Sequence, residues 1–181
     1  GVSRVRVGDH VALNWAPSCG RCFYCLNDRP SLCDTYIEPL WAGSMMDGTT
    51  RLSRDGAPVY QFSALACFAD HTVVPEICCV PIDKEVPFQV AALIGCAVTT
   101  GVGAVLNTAR VRPGSDVVVY GAGGVGLSII MGAKLAGARR IIAVDTQEAK
   151  GEIARSFGAT DFLRAGPEVV SAIRNLTHGR G

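Results

Sequence analysis

From Val2 to Leu13 apolar and polar residues interchange around a Gly8-Asp9 turn, which predicts two short half-buried strands opening a β-barrel. Residues 34–61 carry no such period and are punctuated by Gly43, Asp47-Gly48, Asp55-Gly56 and Pro58, so they read as irregular chain. Strand character returns at Phe68–Val74 and Cys78–Ile82. After Phe88 the period changes. Val90, Leu93 and Ile94 fit one helical turn, and Val102, Val105 and Leu106 share a face of another over Thr99–Asn107. Pro113-Gly114 then turns the chain into Val117–Tyr120, a continuous apolar run of the kind expected in a parallel strand buried on both faces. Helical spacing follows at Val125, Ile129, Ala133 and Ala136, a strand at Ile141–Val144, and a helix through Ala149, Ile153 and Phe157 that Gly158 can cap. Asp161–Leu163 and Val169–Leu176 complete a β-α-β-α-β-α order. The expected class is α/β, with a partial β-barrel domain over 1–95 and the first half of a doubly wound sheet over 96–181.

Two long uncharged stretches, Val86–Leu106 and Val117–Ala133, raise the question of a membrane span. Pro87 and the glycines at 95, 101 and 103 are expected to break the first, and a glycine cluster interrupts the second, so both read as buried segments and no membrane partner is expected. The 181 residues are 49% hydrophobic, enough for a core, and 17 Lys+Arg against 16 Asp+Glu supply no basic face for nucleic acid. The N-terminus has no signal-peptide pattern and does not begin with Met. The expectation is a cytoplasmic protein of which this chain is an internal segment.

Charge and composition change little else; the cysteines change the picture. Cys19, Cys22, Cys25 and Cys33 are separated by two, two and seven residues, a spacing that lets four thiolates close a tetrahedron around one Zn²⁺ in a lobe over about 15–35. A closed tetrahedron is structural and does no chemistry. Three other readings compete. A disulfide scaffold is usually small and poor in core; an iron–sulfur run needs Cys-Pro after three residues, whereas seven intervene here and Asp34 follows Cys33; a nucleic-acid zinc ribbon needs a second knuckle and basic charge.

The second motif is Gly121-Ala-Gly-Gly-Val-Gly126, which follows a strand and opens a helix. Gly121 permits the tight turn, Gly123 lets a pyrophosphate approach the backbone, and Gly126 lets helix and sheet pack closely; Gly124 and Val125 lie within the same bend. The helix N-terminus offers its free N–H groups to phosphate. Asp145, ending the next strand, is expected to accept hydrogen bonds from both adenosine ribose hydroxyls and to repel the extra phosphate of NADP, while Arg139 and Arg140 stand at the wrong end of the strand to rescue it. NAD is the expected cofactor.

With both motifs the chain resembles the zinc-containing medium-chain alcohol dehydrogenases, on Val7-Gly-Asp-His-Val11, the four-cysteine lobe, Asp47-Gly-Thr-Thr-Arg51, Phe68–Val74, Ile94-Gly-Cys96 and the glycine bend through Asp145. It looks most similar to the branch holding the liver-type, glutathione-dependent formaldehyde and aryl-alcohol enzymes. The resemblance implies a GroES-like catalytic domain followed by half of a Rossmann domain, and hydride transfer between a primary alcohol or aldehyde and NAD. It implies a second, catalytic Zn²⁺ with Cys96 as one ligand, on a thiolate favoured by a helix N-terminus. It also places Lys150 at the adenosine ribose, Thr100 and Val125 at the nicotinamide, and Trp15 and Phe62 in the substrate channel. The family's other catalytic zinc ligands and its proton-relay hydroxyl precede the Gly-Asp-His-Val strand, so His10, His71 and His178 are expected to be bystanders and the segment to show no turnover alone. The full-length protein is expected to be a homodimer or homotetramer. A noncatalytic zinc- and dinucleotide-binding module and a polyol dehydrogenase of the same superfamily remain the alternatives.

Overall fold

In the computed structural model, which describes residues 1–180, the N-terminal elements are β1 (His10–Leu13), α1 (Phe23–Leu26), α2 (Asp34–Ala42), β2 (Leu52–Arg54), β3 (Ala57–Val59), β4 (Cys79–Ile82) and α3 (Phe88–Leu93). The C-terminal ones are α4 (Thr99–Gly103), β5 (Asp116–Tyr120), α5 (Gly124–Leu135), β6 (Arg140–Asp145), α6 (Lys150–Phe157), β7 (Asp161–Arg164) and α7 (Val169–Leu176). The chain divides into two units, Gly1–Gly95 and Cys96–Gly181.

In the first unit β1 pairs antiparallel with β4, His10 opposite Ile82, and β2 with β3. Two expected strands do not form. The Gly8-Asp9 turn is present, with Gly8 at φ +90° and the Arg6 N–H donating to Asp9 Oδ2 at 2.8 Å. Before it, however, the Ser3 and Arg4 N–H groups donate to the Glu76 carboxylate instead of to a neighbouring strand. At 68–74 a side chain likewise takes the place of a ladder: the buried Gln61 amide donates to the Val73 carbonyl at 2.9 Å. At these three groups a side chain stands where a strand partner would.

The Asp47–Arg51 segment closes on itself. Asp47 Oδ1 accepts from the Thr49 N–H at 3.0 Å and hydroxyl at 2.7 Å, and Oδ2 pairs with Arg51 at 2.8 Å. Those contacts, the Arg51 guanidinium first, hold the carboxyl well below the usual carboxylate range.

Where two separate helical turns were expected, Phe88–Thr108 is one helix of 21 residues, α3 and α4 being joined and followed by wider turns at Ile94–Val98 and Ala104–Thr108. Pro87 does not break it because Pro87 is its N-cap. The glycines serve close approach: a Cβ on Gly101 would lie 2.4 Å from the Ser128 Cβ and 2.7 Å from the Val125 carbonyl oxygen, and one on Gly132 would lie 3.1 Å from the Val102 Cα. Helices α4 and α5 cross at this contact. By length and apolarity alone Phe88–Thr108 could cross a membrane, and it is the one such helix among the described residues.

The second unit is a parallel sheet in the order β5-β6-β7, with Asp116 opposite Arg140 and Ile142 opposite Asp161. Its core lies on both sides of β6, where Ile141, Ile142, Ala143 and Val144 are buried, against Ile130 and Ala133 on one face and Ile173 on the other. Full burial was expected of β5 but belongs to β6. Only Val119 of β5 is fully buried, because β5 is an edge strand with a neighbour on one side alone.

Candidate functional site

Within the first unit the four lobe cysteines converge. Their sulfurs all lie within 4.8 Å of one another, with Cys19 Sγ to Cys25 Sγ at 4.0 Å and Cys22 Sγ to Cys33 Sγ at 3.9 Å. A tetrahedron with Zn–S bonds of about 2.3 Å has edges of roughly 3.8 Å, so the sulfurs fit zinc. Local structure delivers them. Gly20 at φ +72° turns the chain after Cys19, Cys22 is the N-cap of α1, Cys25 rides on that turn, and Cys33 is the N-cap of α2. Backbone N–H groups point at sulfur: Cys22 to Cys19 at 3.3 Å and Cys19 to Cys33 at 3.3 Å. The hydrogen bonds from the Thr35 side chain and the Arg21 and Cys22 N–H groups bring the Cys19 thiol down to about 6, whereas burial pushes Cys25 up to about 11. Phe23 and Leu26 are exposed and only Cys33 of residues 19–33 is buried, so the lobe has no apolar core of its own.

In the second unit the glycine bend joins β5 to α5. Gly121 stands at φ +93°, a conformation L side chains rarely adopt, and a Cβ on Gly126 would lie 1.7 Å from the Gly121 carbonyl oxygen. Gly123, the N-cap of α5, has open space where a side chain would be, and the first turn of α5, which begins with Gly124 and Val125, presents N–H groups without intrahelical partners. A cradle that no side chain fills, at the start of a 12-residue helix, fits the pyrophosphate of a dinucleotide.

Asp145 ends β6 beside that bend and is 8% exposed. Its Oδ2 accepts from the Ala122 N–H at 2.8 Å and Lys150 Nζ at 3.2 Å, and its Oδ1 accepts from the Gln147 N–H at 2.9 Å. The Gln147 and Ala122 amides, helped by Lys150 and opposed by burial, lower its pKa to about 2. A carboxylate offers about four acceptor sites, so three donors leave one for a ribose hydroxyl and not two as expected. Lys150 supplies the remainder. Its ammonium has three donors and spends one on Asp145, so the pair can meet a ribose diol together.

Thr100 and Cys96 are both exposed on the 88–108 helix. Thr100 precedes Gly101, which packs on the Val125 carbonyl, and Cys96 precedes Ala97, whose Cβ lies 3.9 Å from a Cβ built on Gly124. The helix crossing therefore lies beside the start of α5, with Ala97 and Gly101 making the contact. Cys96 lies well inside the helix, in the wider turn Ile94–Val98, so the helix N-terminus expected to favour its thiolate is absent. Among the described residues the Cys19–Cys33 set is the one group of three or more candidate metal ligands, and Cys96 stands outside it. A second zinc is thus not fitted by this chain's residues alone, and no step is routed through one.

Trp15 and Phe62 line two different spaces. Trp15 lines a small space with Pro17, Tyr36 and Cys78, while Phe62 shares a surface cleft of about 560 Å³ with Trp41 and Tyr60. Those two aromatics were not singled out from the sequence, because residues 34–61 have no period from which to tell that they meet. His10 stacks on Phe88 with ring centroids 4.6 Å apart.

A thiolate lobe matched to zinc and a phosphate-fitted bend on a parallel sheet define a metal- and dinucleotide-type α/β protein. The alcohol dehydrogenase GroES-like domain matches residues 1–84, and the zinc-binding dehydrogenase domain matches residues 124–181. The S-(hydroxymethyl)glutathione dehydrogenase of Escherichia coli O1:K1 / APEC is 45% identical over 163 residues, 90% of this chain and 44% of that protein. Among solved structures, an alcohol dehydrogenase zinc-binding domain protein from Burkholderia ambifaria superposes with a TM-score of 0.88 at 36% identity, over 98% of this chain and 48% of that one. Benzyl alcohol dehydrogenase from Acinetobacter calcoaceticus gives a TM-score of 0.84 at 35% identity, over 97% and 48%. The chain belongs to the zinc-containing medium-chain alcohol dehydrogenase family. It spans about half the length of the relatives it matches.

Proposed function

We propose that this chain is the zinc-lobed, NAD-binding part of an oxidoreductase that interconverts a primary alcohol and its aldehyde. NAD, when bound, supplies the hydride acceptor, and the lobe's zinc holds structure. The chain's own residues bind and orient: the bend and α5 take the pyrophosphate, Asp145 with Lys150 takes the adenosine ribose, and Thr100 and Val125 flank the approach to the nicotinamide. Cys96 is the residue proposed as a ligand of a catalytic zinc completed by other parts of the whole protein. The observation that carries the reading is the open glycine cradle at the start of α5 with Asp145 and Lys150 beside it.

The names of two relatives, an S-(hydroxymethyl)glutathione dehydrogenase and a benzyl alcohol dehydrogenase, support a substrate that carries a primary hydroxyl group. All eight cysteines are free, which supports a cytoplasmic setting, and the proposed assembly is a homodimer or homotetramer of the whole protein. The test is NADH fluorescence on titration with this chain, alongside metal analysis. The expected result is saturable binding displaced by ADP-ribose and one zinc retained per chain. Absence of NADH binding would remove the oxidoreductase reading, and zinc without NADH would favour a scaffold.

A further inference from the structure

A bend built from glycines is the part of a fold most costly in conformational entropy to hold still. Gly121 and Gly123 have no neighbouring atoms within 4 Å of a built Cβ, so side chains do not pin these two positions, although Ala122 between them is buried in the core. Two hydrogen bonds tie the bend to the neighbouring strand. The Gly121 N–H donates to the Val144 carbonyl at 2.7 Å, and the next amide, Ala122, donates to Asp145 Oδ2 at 2.8 Å. The last two residues of β6 thus grip two consecutive amides of the bend. The second grip is a charge-assisted bond between buried partners, Ala122 being 3% and Asp145 8% exposed. It uses the carboxylate that the family resemblance reserves for the ribose.

We propose that Asp145 is a positioning residue that fixes the glycine bend in its phosphate-accepting shape through the Ala122 amide, separately from any bond it makes to a ribose hydroxyl. Its ligand-free part stands on the geometry alone; its binding part rests on the NAD reading above.

A contact with ribose alone and a grip on the bend differ in two measurements. The first is amide hydrogen exchange in the ligand-free protein. Asp145→Ala should speed exchange at Ala122 and Gly123 by about ten-fold or more, the scale of losing a hydrogen bond to a charged group. Lys150→Met, which removes the ammonium but leaves the Ala122 bond, should leave those amides within about three-fold of the parent. The second is binding of an NADH analogue whose adenosine ribose lacks both hydroxyls. Asp145→Ala should weaken this analogue by about ten-fold, although it offers no hydroxyl for the carboxylate to contact. Unchanged exchange at Ala122 together with equal analogue binding by parent and variant would overturn the proposal. If Asp145→Ala exposes β6 as a whole, Asp145→Leu, close in volume and without an acceptor, decides: faster exchange confined to the bend supports the grip, and unchanged exchange overturns it. Should the parent protein fail to bind NADH, the NAD reading falls, and the exchange measurement still decides the grip.

Discussion

Gly126 and Asp145 show how much a single position carries at the bend. A methyl on Gly126 would sit 1.7 Å from a backbone oxygen that cannot move without opening the turn. Gly126→Ala is expected to lower stability by about 3 kcal/mol, at the upper end of overpacking costs, and to abolish NADH binding; urea unfolding and fluorescence titration check both. The acid limb of stability belongs to Asp145. Its carboxyl titrates near 2 in the folded chain against a model-compound value of 3.8, so the stability it lends is complete above about pH 4 and fades as pH falls towards 2. Unfolding midpoints measured from pH 5 to pH 2 should fall, and Asp145→Asn should fall less steeply. The identity of both residues was legible in the sequence, because the motif states which positions must be glycine or acidic. The three donors on Asp145 were not, since two are backbone amides and every residue but proline has one.

At the scale of elements, the α4–α5 crossing separates glycines that look alike in sequence. Gly101→Val should destabilise by more than about 2 kcal/mol because its side chain would meet Ser128 and the Val125 backbone. Gly103→Ala, where a Cβ meets only Asn107 Nδ2 at 3.8 Å, should instead stabilise by about 0.5 kcal/mol through the unfolded chain; thermal unfolding compares them. Composition marked both as breakers of an apolar helix, and only the packed neighbour shows which one is indispensable. The zinc lobe gives the opposite case: spacing announced it fully, and the structure adds that nothing apolar supports it. Chelation should therefore unfold 19–33 locally, with trypsin cutting newly after Arg21, and added zinc should restore protection. The strands expected at 2–7 and 68–74 do not form, and at Ser3, Arg4 and Val73 the backbone bonds to the Glu76 and Gln61 side chains instead; strand periodicity does not see a partner distant in sequence.

For the molecule as a whole, three parallel strands with the buried one in the middle leave β5 as an apolar edge, Val117-Val-Val-Tyr120, relieved only by Asp116. The 181-residue chain is expected to self-associate with rising concentration, and Val118→Lys to reduce that association by light scattering. The parallel order was readable from alternating helix and strand periods, whereas which strand would be the edge depends on pairing that no local pattern encodes. The two site motifs also differ in reach. The Cys19 N–H donates to the Cys33 sulfur 14 positions on, while the bend needs Asp116 aligned with Arg140 and Ala122 tied to a residue 23 positions on. Short-range closure is the faster event. During translation the metal should be captured while the sheet is still being made, so zinc scarcity would be felt at the ribosome, as nascent chains that never knit, sooner than in protein already finished.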